Sequence, residues 1–179
     1  MIRLTSGLFL NTIIFTVKKG VRTIGRTAVL IKPAGMDAEG RLEEINGMIM
    51  RTCRRNHLRI VWVADVTLTH EDALEFYGVH EGKWFQLPMS EQIEGHCLRA
   101  FEIEGKFAPR IMRRLIGPTN PVVAAIKAPG TIRGQFAEGD MVAFAKQKKV
   151  VDNCIHGSKN SQEAIREIEI LKRSRIRPQ

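Results

Sequence analysis

The stretch from Asn153 to Leu171 reads NCIHGSKNSQEAIREIEIL and contains a potential reactive centre. His156 ends a short apolar run, Gly157 and Ser158 follow it, and a helix-like segment carrying Glu167 comes next. Histidine is the side chain most readily made into a proton carrier or a nucleophile at neutral pH. A histidine nucleophile needs one ring nitrogen free and the other held by an acceptor, which fixes the tautomer and steadies the developing positive charge. Glu167 is a candidate acceptor and Ser158 a candidate bridge. Local helix geometry alone does not join His156 to Glu167, so a fold that returns the helix over the strand end is required. The competing reading is a satisfied or exposed histidine, the commoner fate of an isolated one.

Cations around such a histidine would make a phosphoryl-transfer site, where catalysis is mostly positioning and charge stabilisation. The stretch RRLIGPTNPVVAAIKAPGTIRG, opening at Arg113, supplies arginines including Arg133, the hydroxyl of Thr119 and a Pro/Gly-rich loop. Guanidinium forks match phosphate oxygens in pairs, and a hydroxyl adds a donor. Lys32, at the end of an apolar strand, can reach a phosphate as a point charge. For each of these alone, a solvated surface role is the ordinary alternative. Tyr77, Trp84 and Phe85 form an aromatic stretch; Phe85 could stack on a base, whereas Trp84 reads as core. There is no GxxxxGK[ST] loop and no HRD or DFG set, so any phosphate must be held by side chains.

The whole chain has 179 residues, 44% hydrophobic and 26% charged, as expected of one soluble globular domain. Its net charge of +9 favours anionic partners and leaves nucleic acid open as one. Cys53, Cys97 and Cys154 are scattered without ligand spacing, which argues against a disulfide framework or a zinc site and suits a reducing, cytoplasmic setting. Residues 1–25 lack acidic residues and hold an apolar run from Leu8 to Val17. That run is too short to span a bilayer, so no membrane span is expected. The segment reads as an N-terminal extension packing on the domain or on another subunit, with organelle targeting as the alternative.

The pattern predicts strands over Arg26–Lys32, Leu58–Val66, His96–Ile103 and Val150–Ile155. Helices are expected over Ala38–Asn56, from His70 behind a Thr69 N-cap, over Phe107–Ile116 with Gly117 as C-cap, and over Ser161–Leu171. Tyr77–Glu91 reads as irregular and Pro118–Phe136 as loop-rich. Residues 172–179, KRSRIRPQ, read as a basic tail that frays. This order points to an α+β, ferredoxin-like βαββαβ sandwich, an antiparallel four-stranded sheet with helices on one face. A doubly wound parallel sheet competes less well, having no glycine-rich strand-to-helix turn to support it.

Over residues 26–171 the chain resembles the nucleoside diphosphate kinase family. NCIHGS followed by EAIREI is similar to its N-x-x-H-[GA]-S signature, IKPAG to I-K-P-D-G, and FYGVHEGKWF to Y-x-x-H-x-G-K-x-F. RRLIGPTNP resembles R-x-x-x-G-x-T-[ND]-P, and APGTIRGQF resembles A-P-G-T-I-R-G-D-F. The resemblance implies that His156 is the phosphohistidine of a two-step γ-phosphate transfer from nucleoside triphosphates to nucleoside diphosphates. It implies that Glu167 and Ser158 support that histidine. Lys32, Tyr77, Arg113, Thr119, Arg133 and Asn153 would bind phosphates and ribose, and Phe85 the base. It also implies Mg²⁺ carried by the nucleotide phosphates, with no protein side chain as metal ligand, and a homo-oligomer built on dimers, hexamer or tetramer. Ala34, Gln135 and Lys159 stand where the family pattern has aspartate. The segment 137–152 is longer than the common form and resembles an insert of some archaeal and bacterial members. A weak or inactive relative acting as a nucleotide- or nucleic-acid-binding regulator is the alternative reading.

Overall fold

A computed structural model describes residues 24–36 and 40–175 of the chain. The expected extension over residues 1–25 lies outside the described residues except for Ile24 and Gly25, and residues 176–179 of the expected tail lie outside them too.

The first strand, β1 (Gly25–Ile31), runs into the short helix α1 (Pro33–Met36), and α2 (Arg41–Arg55) leads to β2 (Arg59–Thr67). Then come α3 (His70–Phe76), a 3₁₀ turn (Gly78–His80), α4 (Gln86–Glu91) and β3 (Cys97–Gly105). The second half holds α5 (Ala108–Ile116), α6 (Pro121–Lys127), α7 (Ile132–Phe136), α8 (Met141–Lys146), β4 (Ile155–Gly157) and α9 (Ser161–Arg173). The strands form one sheet in the order β2-β3-β1-β4 with every pairing antiparallel. This is the expected α+β, ferredoxin-like arrangement.

The helices cover both faces of the sheet, not one as expected. Ala28 and Leu30 of β1 pack with Ala73 and Phe76 of α3 and Ala164 and Ile168 of α9. Val29 and Ile31 pack on the opposite side with Ile45 and Ile49 of α2 and Met112 and Ile116 of α5. The continuous apolar run AVLI is what a strand buried on two faces requires. A strand with a solvated face would alternate with polar residues.

Local signals set most boundaries. The Thr69 hydroxyl accepts from the Asp72 N–H and starts α3. Gly117, at φ 91°, ends α5, and a Cβ there would meet Thr131 Oγ1 at 2.2 Å. Pro118–Phe136 is not loop throughout: Asn120 caps α6, with Pro121 in its first turn, and Thr131 caps α7. Pro121 stands in the first turn of α6, where proline is favoured, while Gly134 lies inside α7. Tyr77–Glu91 likewise contains the 3₁₀ turn and α4. The predicted fourth strand begins later, at Ile155. The predicted fraying tail also shortens. Lys172 and Arg173 form the last turn of α9, Arg173 Nε donates to Asp72 Oδ1 at 2.8 Å, and Ser174 O accepts the Thr67 N–H at 3.1 Å.

Candidate active site

β4 lies along β1 with Ile155 opposite Ile31 and His156 opposite Leu30. Alternation along the strand sends Ile155 into the core beneath α2 and α5, and His156 to the face covered by α3 and α9. There α9 crosses the strand end and brings Glu167 to the ring, supplying the return that spacing alone could not. His156 Nε2 lies 2.9 Å from Glu167 Oε1, and Ser158 Oγ donates to Glu167 Oε2 at 2.6 Å. Ser158 Oγ in turn accepts the Ala28 N–H of β1 at 2.9 Å. An ionised carboxylate can only accept, so Nε2 carries the ring proton and Nδ1 keeps its lone pair.

Glu167 is 1% exposed. Burial pushes its carboxyl pKa up, but the His156 charge and the hydrogen bonds from His156 and Ser158 outweigh this and hold it below the usual glutamate value. Phe76 and Tyr77 approach the His156 ring edge-to-face, with centroids 5.0 and 6.1 Å away. Arg166 of α9 grips the end of α3, donating to the Phe76 carbonyl at 3.1 Å and also to the Glu75 carbonyl. One helix thus positions both the carboxylate and the aromatic wall of the histidine.

His156 opens onto a cleft of about 1350 Å³. Lys32, Tyr77, Phe85, Arg113, Thr119, Arg133 and Asn153 all line it, while Glu167 and Ser158 stand behind the histidine. Lys32 is buried and pairs with Asp152 at 3.1 Å; burial lowers its pKa, against the pull of Asp152. Arg133 donates to the Gly117 and Ile155 carbonyls at 3.2 and 2.8 Å, and burial brings its pKa down to about 10. Its Nε is buried without a partner in the fold. Asn153 Nδ2 donates to the Thr119 carbonyl at 3.2 Å, tying the loop before α6 to the strand. Arg113 and Thr119 are exposed.

One expectation changes here. Trp84, read as core, is 48% exposed and lines the cleft beside Phe85. Gly157 packs against α5: a Cβ there would meet Ile116 Cδ1 at 2.4 Å, and that side chain would have to shift. Asp152, His80 and the segment before β4 went unassigned in the sequence. Asp152 accepts the N–H groups of Ala34 and Cys154, each at 3.0 Å, as well as pairing with Lys32. His80 stacks on Tyr77 and meets Phe85 edge-to-face at 5.1 Å. Its place inside FYGVHEGKWF was the available signal.

Among the described residues, His156, Glu163 and Glu167 offer possible ligand atoms within 4.8 Å of one another. Glu167 is held by His156 and Ser158, and Glu163 Oε2 accepts the Lys159 N–H at 3.1 Å.

The family model for nucleoside diphosphate kinase matches residues 25–175. The chain belongs to the nucleoside diphosphate kinase family. Its activity is the phosphotransfer of that family. It is 36% identical to the nucleoside diphosphate kinase of Staphylothermus marinus over 146 residues, 82% of this chain and 91% of that one. It is 37% identical to the Thermobifida fusca enzyme over 146 residues, 82% of this chain and 95% of that one. Among solved structures, the Aquifex aeolicus nucleoside diphosphate kinase superposes with a TM-score of 0.68 at 26% identity, covering 86% of this chain and 99% of that one. The Halobacterium salinarum enzyme, solved in complex with CDP, gives a TM-score of 0.62 at 28% identity, covering 86% of this chain and 93% of that one.

Against the family pattern, the departures replace no member of the His156–Glu167–Ser158 network, although Lys159 follows Ser158 and lines the cleft. Ala34 contributes only backbone groups, to Asp152 and to Arg41. Gln135 and Lys159 are exposed.

Proposed function

We propose that this family member works by a two-step, ping-pong mechanism in which His156 Nδ1 is the nucleophile. The single observation that supports it best is the Glu167–His156 hydrogen bond, which leaves Nδ1 as the ring nitrogen with a free lone pair beside a cation-lined cleft. Nδ1 attacks the γ-phosphorus of a nucleoside triphosphate, the bond to the bridging β-phosphate oxygen breaks, and the nucleoside diphosphate departs. A second diphosphate enters, a terminal oxygen of its β-phosphate attacks the phosphohistidine, and the N–P bond breaks. The positive charge that gathers on the ring in the first step is met by Glu167, held in place by Ser158. Lys32, Arg113, Arg133, Thr119, Tyr77 and Asn153 hold the phosphates and ribose. Phe85 presents a face to the base, a contact tolerant of base identity. Mg²⁺ would be held by the nucleotide's own phosphates, where it neutralises charge across the β- and γ-oxygens.

The catalytic unit spans residues 26–171 with the added turn of α9, residues 1–25 being an extension. A cytoplasmic location suits the three free cysteines, with organelle import through residues 1–25 the alternative. A homo-oligomer built on dimers, hexamer or tetramer, suits the outer edge of β2, which Ser174 and Arg175 cover only at its Val66–Thr67 end and where Val61 and Val63 are 37% and 48% exposed.

The test is incubation with γ-labelled ATP and Mg²⁺ without acceptor. Acid-labile, base-stable label on His156 that GDP chases off supports the mechanism. A folded, nucleotide-binding protein that takes no label overturns it and leaves the regulatory alternative.

A further inference from the structure

The segment between α7 and β4 builds a wall of the cleft that the proposed reaction does not use. Met141, Ala145, Lys149, Val150 and Val151 all line the cleft. Its shape is set locally. Asp140 caps α8 by accepting the Val142 N–H at 2.9 Å, and the Lys149 N–H returns to the Phe144 carbonyl at 2.9 Å. Between them Lys148 adopts φ 53°, a left-handed turn that a lysine enters at a cost and that redirects the chain directly before Lys149.

The wall stands at the aromatic end of the cleft. Rings lead from His156 through Tyr77 and His80 to Phe85, and α4 begins at the next residue. From α4 the wall is fastened: the side chain of Gln92, the residue after its last turn, donates to the Val150 carbonyl at 2.8 Å. Lys149, one residue earlier, therefore brings a cation to the end where a base would stack. It is exposed, and no ion pair engages it among the described residues.

We propose that Lys149 is a specificity-determining residue that reads the edge of the base. An ammonium donates and cannot accept. Guanine O6 and uracil O4 are acceptors at the ring position where adenine and cytosine carry an amino donor. Lys149 thus favours oxo bases over amino bases among purines and pyrimidines alike, superimposing a preference on the stacking by Phe85. This rests on the proposed nucleotide reading of the cleft.

The experiment compares the chain with its Lys149→Met and Lys149→Arg variants on GDP, ADP, UDP and CDP. One readout is Kd, from quenching of Trp84, which lines the same cleft. The other is the rate at which each diphosphate discharges the labelled protein. Lys149→Met should lower the GDP/ADP and UDP/CDP ratios together by about fivefold, the loss of one charged hydrogen bond near solvent, and Lys149→Arg should restore them. An equal loss on all four diphosphates would overturn the proposal by moving Lys149 to the phosphates. Unchanged ratios would overturn it by removing the contact. Failure of labelling in the parent chain counts against the phosphohistidine, while the Kd ratios still decide Lys149.

Discussion

The back of the histidine and the front of the cleft are built in opposite ways. Behind His156, Glu167 and Ser158 are buried, each hydrogen-bonded, and anchored on a strand fixed between two layers of helices. In front, Arg113 and Thr119 are exposed, and Thr119, Trp84 and Lys149 sit on turns or short connections. The contrast teaches a division of labour. The group that must hold one tautomer and one direction is set in rigid, dry surroundings. Of the groups proposed to meet the nucleotide, Arg113, Thr119 and Lys149 stay wet and adaptable, while Lys32, Tyr77 and Arg133 are buried.

The largest effects should sharpen that contrast. His156→Ala should lower transfer by roughly 10⁴-fold or more and, because it takes a partner from the buried Glu167, should also cost about 1–3 kcal/mol of stability without unfolding the protein. Stopped turnover assays with calorimetry check both halves; retained transfer would move the nucleophile elsewhere. Arg113→Ala, at the front, should cost about 10²–10³-fold in kcat if its guanidinium meets the transferring phosphate. Its stability should stay within about 0.5 kcal/mol of the parent. A stability loss without a rate loss would place Arg113 on the structural side of the comparison.

Glu167→Gln probes the boundary between the two regions. Glutamine can still accept from Nε2 through its carbonyl oxygen but brings no charge, so turnover should fall by about 10–100-fold, less than for His156→Ala. Comparing label formation with label discharge would separate weaker nucleophile support from weaker binding. A loss as deep as that of His156→Ala would mean that the carboxylate has a part in the reaction beyond positioning.

The same contrast explains what the sequence could and could not disclose. The back of the site was legible because its parts are consecutive or periodic: an apolar strand end, His156, Gly157, Ser158, then a helix with Glu167 on one face. The antiparallel sheet was legible for the same reason. That helices cover both faces was missed because the strand pattern alone does not say how many faces are covered, and the unbroken burial of AVLI on both sides excludes a wet face. Helices α6 and α7 were missed because Pro121 opens the one and Gly134 sits inside the other, and a proline or glycine in so short a string looks like a loop. Asp152 was missed because its partners, Lys32 and Ala34, are distant in sequence and meet only through the β1–β4 pairing. Trp84 was misplaced because composition assigns tryptophan to cores, and only the turn before α4 shows it facing the cleft.

The smallest effect concerns acid stability, and it can break the view that the back of the site is a structural device as well as a chemical one. Glu167 has a folded pKa below its ordinary value, so it holds fewer protons folded than unfolded at mildly acid pH. Such a group contributes stability that is fully present above the unfolded glutamate value of about 4.3 and is lost as pH falls through the lower folded value. Asp72, depressed despite the opposing effect of burial by Ser174 and Arg173, acts in the same direction at the far end of α9. Chemical denaturation of the parent at pH 7 and at successive steps below pH 4.5 should therefore show a decline, and Glu167→Gln should show a shallower one without abolishing it. Ser158→Ala, which removes one donor to the carboxylate, should lose about 1–2 kcal/mol at pH 7 and make the decline shallower, ending at a higher pH than in the parent. If Glu167→Gln instead declined as steeply as the parent, the carboxylate would be contributing nothing to folding, and its burial behind His156 would serve the reaction alone.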